Sequence, residues 1–186
     1  MKKHLYVSLC LIGMLTLLNS CQQTESKKQP QYIVDVQAHR GGMGLMPANT
    51  LEAMKNAVDL GVNTLEMDIV VTKDKKVILS HDKYFTVEET TRPDGTPMKK
   101  EDPREYMWKM TYEEIAKYDV GMRQHPNYPE QKTFPAIRPL LSDVLSFIEN
   151  YTQEKGMAPM NYNIEIKADP DWNGGIEGED WPVYHE

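Results

Sequence analysis

The sequence predicts an α/β protein in which helices cover a parallel β-sheet. Segments rich in β-branched and apolar residues alternate along the chain with segments that carry an apolar helical face. Histidine and acidic residues lie in or directly after these predicted strands, and functional sites of parallel sheets form where the strands end. The alternation fits either a doubly wound sheet or part of a (β/α)8 barrel, and composition does not separate the two.

A strand followed by a helix forms the first predicted unit. Residues 32–38 are mostly β-branched and apolar, which predicts a buried strand that ends at a Gly-rich loop. Asn49 is the predicted N-cap of a helix over residues 50–60, and Gly61 is the predicted stop. The apolar residues of this helix fall on one face, as expected of a helix packed on a sheet.

Two further strands follow, joined by a short turn. Residues 63–72 form the second predicted strand and residues 77–80 the third. The turn over residues 73–76 is too short to contain a crossover helix.

The segment over residues 83–135 is predicted to be an insertion with little core of its own, because it is rich in Pro, Glu, Lys, Tyr and Met. Thr111 and Glu114 have the spacing of a capping box, which predicts a short helix inside it. A longer amphipathic helix is predicted over residues 140–155, and the last strand over residues 162–167.

The composition indicates one acidic globular domain. The 186 residues include 21 Lys and Arg and 28 Asp and Glu, so the formal net charge is −7. An acidic chain without a dense Lys/Arg stripe does not fit a protein that binds by neutralising a nucleic-acid backbone, so no nucleic-acid partner is expected. Small or metal-bridged anions remain compatible ligands.

The N-terminus has the pattern of a secretory signal. Residues 1–20 begin with basic residues, continue through an apolar stretch that is short for a membrane span, and end directly before Cys21. Residues 18–21 resemble a bacterial lipobox, which implies that Cys21 becomes a lipidated N-terminus; plain secretion and a helical anchor are the alternatives. Residues 21–31 fit a polar tether that holds a domain over 32–186 off a membrane.

Three carboxylates on two predicted strands form a candidate metal site. Glu66 and Asp68 are two residues apart in the second strand and therefore point to one face, and Glu165 and Lys167 repeat this spacing in the last strand. Three hard oxygen ligands suit Ca²⁺ or Mg²⁺, whereas zinc would favour thiolates. The alternative is a set of solvated strand charges in local salt bridges.

Two histidines and an arginine lie at predicted strand ends. His39 follows the first strand and precedes Arg40, and His81 follows the third strand. Near a metal, one imidazole would take a proton from the attacking oxygen and the other would give one to the leaving alkoxide of a phosphate ester, while Arg40 offers a planar fork for phosphate oxygens. Taken singly, each histidine also fits a capping or packing role. His125 is assigned no function, because it lies in a Pro-rich loop.

Five short motifs occur together in the order and spacing of a known family. Together they resemble the glycerophosphodiester phosphodiesterase family over about residues 35–170, and the match is specific because all five are present. The motifs are His39-Arg40-Gly41-Gly42, Pro47-Ala48-Asn49-Thr50, Glu66-Met67-Asp68, His81-Asp82 and Asn163-Ile164-Glu165-Ile166-Lys167.

The resemblance implies a (β/α)8 barrel that hydrolyses glycerophosphodiesters to an alcohol and glycerol 3-phosphate. By position, His39 and His81 match the family's acid/base pair, and Arg40 and Lys167 match its phosphate contacts. The family's ligands for Ca²⁺ or Mg²⁺ match three carboxylates, those of Glu66, Asp68 and Glu165. The implied partners are a small-molecule phosphodiester and, through a lipid anchor at Cys21, the membrane of a bacterial cell envelope, with the enzyme facing the periplasm or the exterior.

Three features depart from the family pattern. Ala48 stands where the family commonly has a glutamate, so one carboxylate near the site is missing. Glu88 and Glu89 replace an Asp-Arg pair. The sequence also stops soon after the strand that holds Glu165, which predicts that only the N-terminal part of a barrel of about 250 residues is present.

Two other functions stay open at the level of sequence. A phospholipase-type barrel that acts on intact lipid would need apolar rim loops, and the Lys- and Pro-rich loops of this chain do not supply them. A non-catalytic envelope lipoprotein that binds phosphate or a partner fits Ala48 and the predicted truncation, although both histidines and all three carboxylates are retained.

Overall fold

The computed structural model describes residues 34–167, and its elements belong to one compact unit that begins at Asp35. The predicted signal, Cys21, the tether and the tail after Lys167 lie outside the described residues. In chain order the elements are β1 (Gln37–Ala38), α1 (Leu51–Asp59), β2 (Thr64–Val71), β3 (Val77–Leu79), α2 (Tyr112–Ile115), α3 (Leu141–Glu154) and β4 (Asn161–Ile166). Short 3-10 turns lie at His39–Gly41 and Met107–Lys109.

The described sheet is built around β2. Strands β1 and β4 pair with β2 in parallel, with Ala38 beside Leu65 and Glu165 beside Asp68. The predicted parallel arrangement is therefore confirmed for these three strands. Strand β3 runs antiparallel to β2, because the tight turn after Thr72 reverses the chain.

Strands β1 and β3 share one edge of β2. Strand β4 lies along β2 from Thr64 to Ile69, so the two other partners must both lie along the opposite edge. Strand β1 covers the beginning of that edge and β3 covers its end from Ile69 onward. A gap opposite the middle of β2 remains between them, and the chain segments after β1 and after β3 both enter it.

The beginning of α1 differs from the prediction by one residue. Thr50 is the N-cap, and its Oγ1 accepts a hydrogen bond from the backbone N–H of Ala53 at 3.2 Å. Asn49 adopts a left-handed backbone with φ of 56° and directs its side chain away from the helix, toward Asp68. The helix ends where predicted, since Gly61 has a φ of 79° just after its last turn.

The capping box that predicted α2 is present. Thr111 accepts from the backbone N–H of Glu114, and the Glu114 carboxylate accepts from the backbone N–H of Thr111 at 2.7 Å. The helix is one short turn that ends at Ile115. None of the helices within residues 34–167 combines the length and the apolar character that crossing a bilayer requires.

The first hydrophobic core lies between the sheet and two helices. Its fully buried residues include Met54 and Val58 of α1 and Val144 and Ile148 of α3. Strand β2 contributes Leu65 and Met67, the alternate residues to Glu66 and Asp68. The period of two along β2 therefore places apolar side chains under the helices and carboxylates on the opposite face.

The inserted segment has a core of its own, contrary to the prediction. Five of its side chains are buried together: Phe85, Met98, Met107, Ile115 and Val120. They pack on Val70 and Ile78, the apolar side chains near the turn of the hairpin formed by β2 and β3. Composition missed this core because its residues are scattered among Pro, Glu and Lys and follow no single helical or strand period.

Gly41 and Gly42 offer a matched test of the close packing between the loop after β1 and α1. Both have a positive φ, of 77° and 88°. A Cβ on Gly41 would lie 2.8 Å from the Cβ of Ala53 and 2.9 Å from its backbone carbon, whereas a Cβ on Gly42 would meet nothing within 4 Å.

We expect Gly42→Ala to lower the free energy of unfolding by about 1–2 kcal/mol, the cost of a left-handed backbone. Gly41→Ala should cost about 1–3 kcal/mol more, because it adds overpacking against α1. Urea unfolding of both variants checks this, and equal losses would contradict the packing described here.

Candidate active site

The gap beside β2 brings together residues that are far apart in sequence. Arg40 follows β1 and its backbone N–H donates to Glu66 Oε2 at 2.6 Å. From the other side, the backbone N–H of Ser80 donates to the Asp68 carbonyl at 3.0 Å, so His81 follows at the same level of the sheet. The hairpin of β2 and β3 therefore brings the chain after β3 back to the level of Asp68.

Three carboxylates face one another at this level. One oxygen each of Glu66, Asp68 and Glu165 can be chosen so that all three lie within 4.8 Å of one another. Glu66 and Asp68 lie on one face of β2 as predicted, and Glu165 is the β4 residue directly beside Asp68. Their exposure differs: Asp68 is 1% exposed, whereas the Glu165 side chain is 57% exposed.

Asp68 is surrounded by donors from three parts of the chain. Asn49 Nδ2 donates to its Oδ2 at 2.9 Å, and the Asp68 backbone N–H donates to Asn49 Oδ1 at 3.1 Å. Arg40 Nε lies 3.1 Å from the same Oδ2. Lys167 Nζ lies 3.0 Å from Oδ1 and 2.6 Å from Glu165 Oε1.

These contacts decide the protonation of the buried carboxyl. Burial raises the pKa of Asp68, but the hydrogen bonds from Asn49 and Lys167 and the charge of Arg40 outweigh it and hold the pKa below its ordinary value. Burial lowers the pKa of Lys167, and its contacts with Glu165 and Asp68 reverse that effect. Asp68 is therefore a carboxylate and Lys167 an ammonium at neutral pH.

The backbone at Arg40 is held in an unusual conformation. Its φ of 53° is in the left-handed region, which a residue with a side chain adopts at some energetic cost. The Arg40 carbonyl accepts from the Asn49 N–H at 3.0 Å while its own N–H is bound to Glu66. This conformation turns the guanidinium toward Asp68 and the amide toward Glu66.

The three carboxylates fit a hard divalent cation. They supply only oxygen ligands, and their spacing leaves room for one ion between them. Asp68 Oδ1 is buried, and within residues 34–167 its contact is the Lys167 ammonium at 3.0 Å. A buried carboxylate oxygen needs a donor or a cation beside it, so this oxygen also suits a metal ion.

A polar cleft of about 130 Å³ adjoins these residues. Arg40, Asn49 and His81 line it on the side of the carboxylates, and the His81 Nδ1 lies 3.1 Å from Asp82 Oδ2. His39 is exposed and is not among the residues that line the cleft. Of the two predicted histidines, His81 therefore lines the cleft and His39 does not.

The cleft is also lined by residues to which the sequence analysis assigned no function. His125 lines the cleft, although its Pro-rich surroundings had suggested no function. Its Nδ1 accepts from the Asn127 N–H at 3.2 Å, which leaves Nε2 as the ring donor. Arg138 and Gln131 also line it. Only contacts between distant segments reveal these residues; a lone His or Arg in a loop gives no such signal.

Comparison with known sequences identifies one family. The sequence profile of the glycerophosphoryl diester phosphodiesterase family matches residues 39–178. A glycerophosphodiester phosphodiesterase from Caldanaerobacter subterraneus is 32% identical over 140 residues, which is 75% of this chain and 48% of that protein. The chain spans about half the length of the curated relatives it matches.

Solved structures agree in fold. The crystal structure of a presumed glycerophosphoryl diester phosphodiesterase from Silicibacter pomeroyi has a TM-score of 0.67 and 29% identity, and the match covers 76% of this chain and 48% of that one. An Oleispira antarctica phosphodiesterase in complex with the product sn-glycerol-3-phosphate shares the fold at 24% identity and a TM-score of 0.52, over 73% of this chain and 45% of that one. The predicted (β/α)8 barrel is thereby confirmed, with the described residues as part of it.

The pKa of Asp68 makes a prediction about acid stability. Since the folded-state pKa lies below the ordinary value of 3.8, the carboxylate stabilises the fold fully above that value, and this contribution is lost as the pH falls through the lower folded-state pKa. Asp68→Asn should therefore have a clearly lower free energy of unfolding than the parent above about pH 4. The difference between the two proteins should become smaller in more acid solution.

Urea unfolding of both proteins at a series of pH values, with a chelator present, measures this difference in free energy of unfolding. A difference that grows toward low pH would show that burial, rather than Arg40, Asn49 and Lys167, dominates the pKa of Asp68.

Proposed function

Because the chain belongs to the glycerophosphoryl diester phosphodiesterase family, we propose that the protein hydrolyses glycerophosphodiesters to an alcohol and glycerol 3-phosphate with a divalent metal ion. The observation that supports this best is the cluster of Glu66, Asp68 and Glu165 with Arg40 and Lys167 against it. Carboxylates that can hold a cation and cations that can receive an anion are what a phosphodiester substrate requires.

Glu66, Asp68 and Glu165 would hold the metal, for which Ca²⁺ and Mg²⁺ are the candidates because every ligand is a hard oxygen. When bound, the ion supplies stabilisation for the negative charge that grows on the phosphoryl oxygens. The buried Asp68 is the fixed ligand, since the three residues Asn49, Arg40 and Lys167 set its position. Glu165 is exposed enough to adjust to the ion.

Arg40 and Lys167 would bind the phosphate oxygens. Arg40 Nε and Lys167 Nζ lie on different oxygens of Asp68, so they flank the carboxylate from two sides. A phosphodiester bound next to Asp68 would share both cations with it. The contacts of Lys167 with Glu165 and Asp68 keep it an ammonium at neutral pH, and the Arg40 guanidinium can contact two oxygens at once.

His39 and His81 would move the protons. Hydrolysis breaks the bond between phosphorus and the oxygen of the alcohol, and the attacking oxygen takes its place on phosphorus. One imidazole accepts the proton of the attacking oxygen and the other donates a proton to the departing alkoxide, so that the proton balance closes. Asp82 contacts Nδ1 of His81 and orients the ring, with its other nitrogen available to the cleft.

We also propose a location for this activity from the N-terminal sequence. Residues 18–21 resemble a lipobox, and a lipidated Cys21 would anchor the protein to a bacterial envelope with the domain facing the periplasm or the exterior. The polar residues 21–31 would then separate the domain from the membrane. Metabolic labelling with a fatty acid, compared between the parent and Cys21→Ala, tests the anchor, and equal labelling would contradict it.

Activity should depend on the carboxylate cluster. We expect the full-length protein to hydrolyse glycerophosphocholine or glycerophosphoethanolamine with Ca²⁺ or Mg²⁺, and to stop when a chelator is added. Glu66→Gln should lower kcat/KM by about 100-fold or more, because the metal loses a charged ligand. The exposed Glu113 of α2, whose carboxylate lies 3.7 Å from Lys117 Nζ, provides the matched control Glu113→Gln, which should keep full activity.

Release of glycerol 3-phosphate, measured by a coupled assay, gives the readout. Turnover that persists in chelator, or that survives Glu66→Gln, would contradict a metal-dependent site. A folded protein that binds the metal but cleaves neither substrate would point instead to a binding function.

A further inference from the structure

A buried arginine connects the inserted segment to the carboxylate cluster. Arg138 is only 4% exposed, although it precedes α3 in a stretch without regular structure. Its Nη1 donates to the backbone carbonyl of Ala48 at 2.8 Å, and its Nη2 forms an ion pair with Glu89. The two contacts join residue 89 of the insertion to the loop before α1.

The backbone around Arg138 is fixed on both sides. Before it, the Ala136 carbonyl accepts from the Val120 N–H at 2.8 Å. After it, the Pro139 carbonyl accepts from the Leu79 N–H at 3.0 Å at the end of β3. The base of the side chain is therefore held by the hairpin and by the insertion together, so the guanidinium reaches Ala48 from a rigid support.

From Ala48 the contacts lead directly to Asp68. Asn49 has a left-handed backbone, which costs energy for a residue with a side chain, and its N–H is bound to the Arg40 carbonyl. Its side chain then makes two hydrogen bonds to Asp68. Arg138 thus holds the carbonyl of the peptide group between residues 48 and 49, and the Arg40 carbonyl holds the N–H of the same group. These two contacts fix the position of the Asn49 side-chain amide, which orients Asp68.

Both ends of this connection fall where the sequence departs from the family motifs. With alanine at position 48, the backbone carbonyl is the acceptor available to Arg138 there. With glutamate at position 89, the buried guanidinium has a carboxylate partner that is 14% exposed. An arginine at position 89 would instead place two guanidinium groups against each other. Glu89 and Arg138 therefore belong together in this chain.

We propose that Arg138 is a positioning residue: it fixes Asn49 against Asp68 and thereby sets the affinity of the three-carboxylate cluster for a divalent cation. This rests on the proposed metal-dependent function for its biological meaning, but it concerns metal binding and not the chemical step. Glu89 holds the guanidinium in the direction of Ala48. Removal of Arg138 releases the loop, and Asp68 then loses its fixed orientation.

The first test is direct metal binding. Calorimetric titration with Mn²⁺ and with Ca²⁺ should give a 10- to 100-fold weaker affinity for Arg138→Leu than for the parent, the size of effect expected when the support of a metal ligand is removed. Arg138→Lys should lie between the two, because an ammonium keeps the charge but lacks the planar fork whose two nitrogens contact Ala48 and Glu89. Arg92→Leu is the matched control, since Arg92 pairs with Glu105 and Asp102 within the insertion, and it should bind metal like the parent.

The second test asks whether Arg138 acts through Asn49. If it does, Asn49→Ala alone should weaken metal binding to a similar degree, and Arg138→Leu should add less than twofold in the Asn49→Ala background. The proposal would be overturned if the two losses of metal affinity multiplied in the double variant. It would also be overturned if Arg138→Leu bound metal as tightly as the parent.

The outcomes separate this proposal from the proposed function. A parent protein that binds metal normally and a folded Arg138→Leu that also does so would refute the positioning role and leave the enzyme function intact. A parent that binds neither ion would refute the metal-dependent function and this proposal with it. If Arg138→Leu does not fold, Arg138→Lys decides: an affinity equal to that of the parent refutes the role, and a weaker affinity supports it.

Discussion

The burial of the Asp68 carboxylate is the constraint on which the rest of the site depends. A carboxylate that is 1% exposed is tolerated only when donors and opposite charges replace water around it, and loss of one partner of a buried charge pair costs about 3–5 kcal/mol. The partners of Asp68 come from the loop after β1, the residue before the N-cap of α1 and the end of β4. The site is therefore complete only when all three segments lie against β2.

The charges of the site complement those of a divalent cation and a phosphodiester. Three carboxylates and two cations leave a formal charge of −1, and a divalent cation together with a singly charged phosphodiester would bring the total to zero. Arg40 and Lys167 contact carboxylate oxygens of the cluster, and the same two side chains would bind the phosphate of the substrate.

The sequence predicted the parts of the site that follow from local rules. The period of two along a strand placed Glu66 and Asp68 on one face and Leu65 and Met67 in the core, and the capping box located α2. The sequence did not predict what depends on long-range contacts. Arg138 meets Ala48 across 90 residues, and neither residue type nor spacing indicates this contact.

Two errors have clear physical causes. Asn49 has the residue type of an N-cap, but a buried carboxylate competes for its side chain and Thr50 caps the helix instead. The insertion was expected to lack a core because its apolar residues have no period, yet they converge on the outer part of the hairpin. The contact with Asp68 therefore explains the error at Asn49, and tertiary packing explains the error in the insertion.

Whether the three carboxylates bind a divalent cation is tested most directly by anomalous diffraction from crystals of the protein grown with Mn²⁺. We predict one strong peak between Glu66, Asp68 and Glu165, at about 2.0–2.6 Å from an oxygen of each, the range of hard divalent cations. We also expect Lys167 to have moved from the Glu165 oxygen that it contacts here. Saturating Mn²⁺ with no peak at this position, and with Arg40 and Lys167 still paired to the carboxylates, would contradict this prediction.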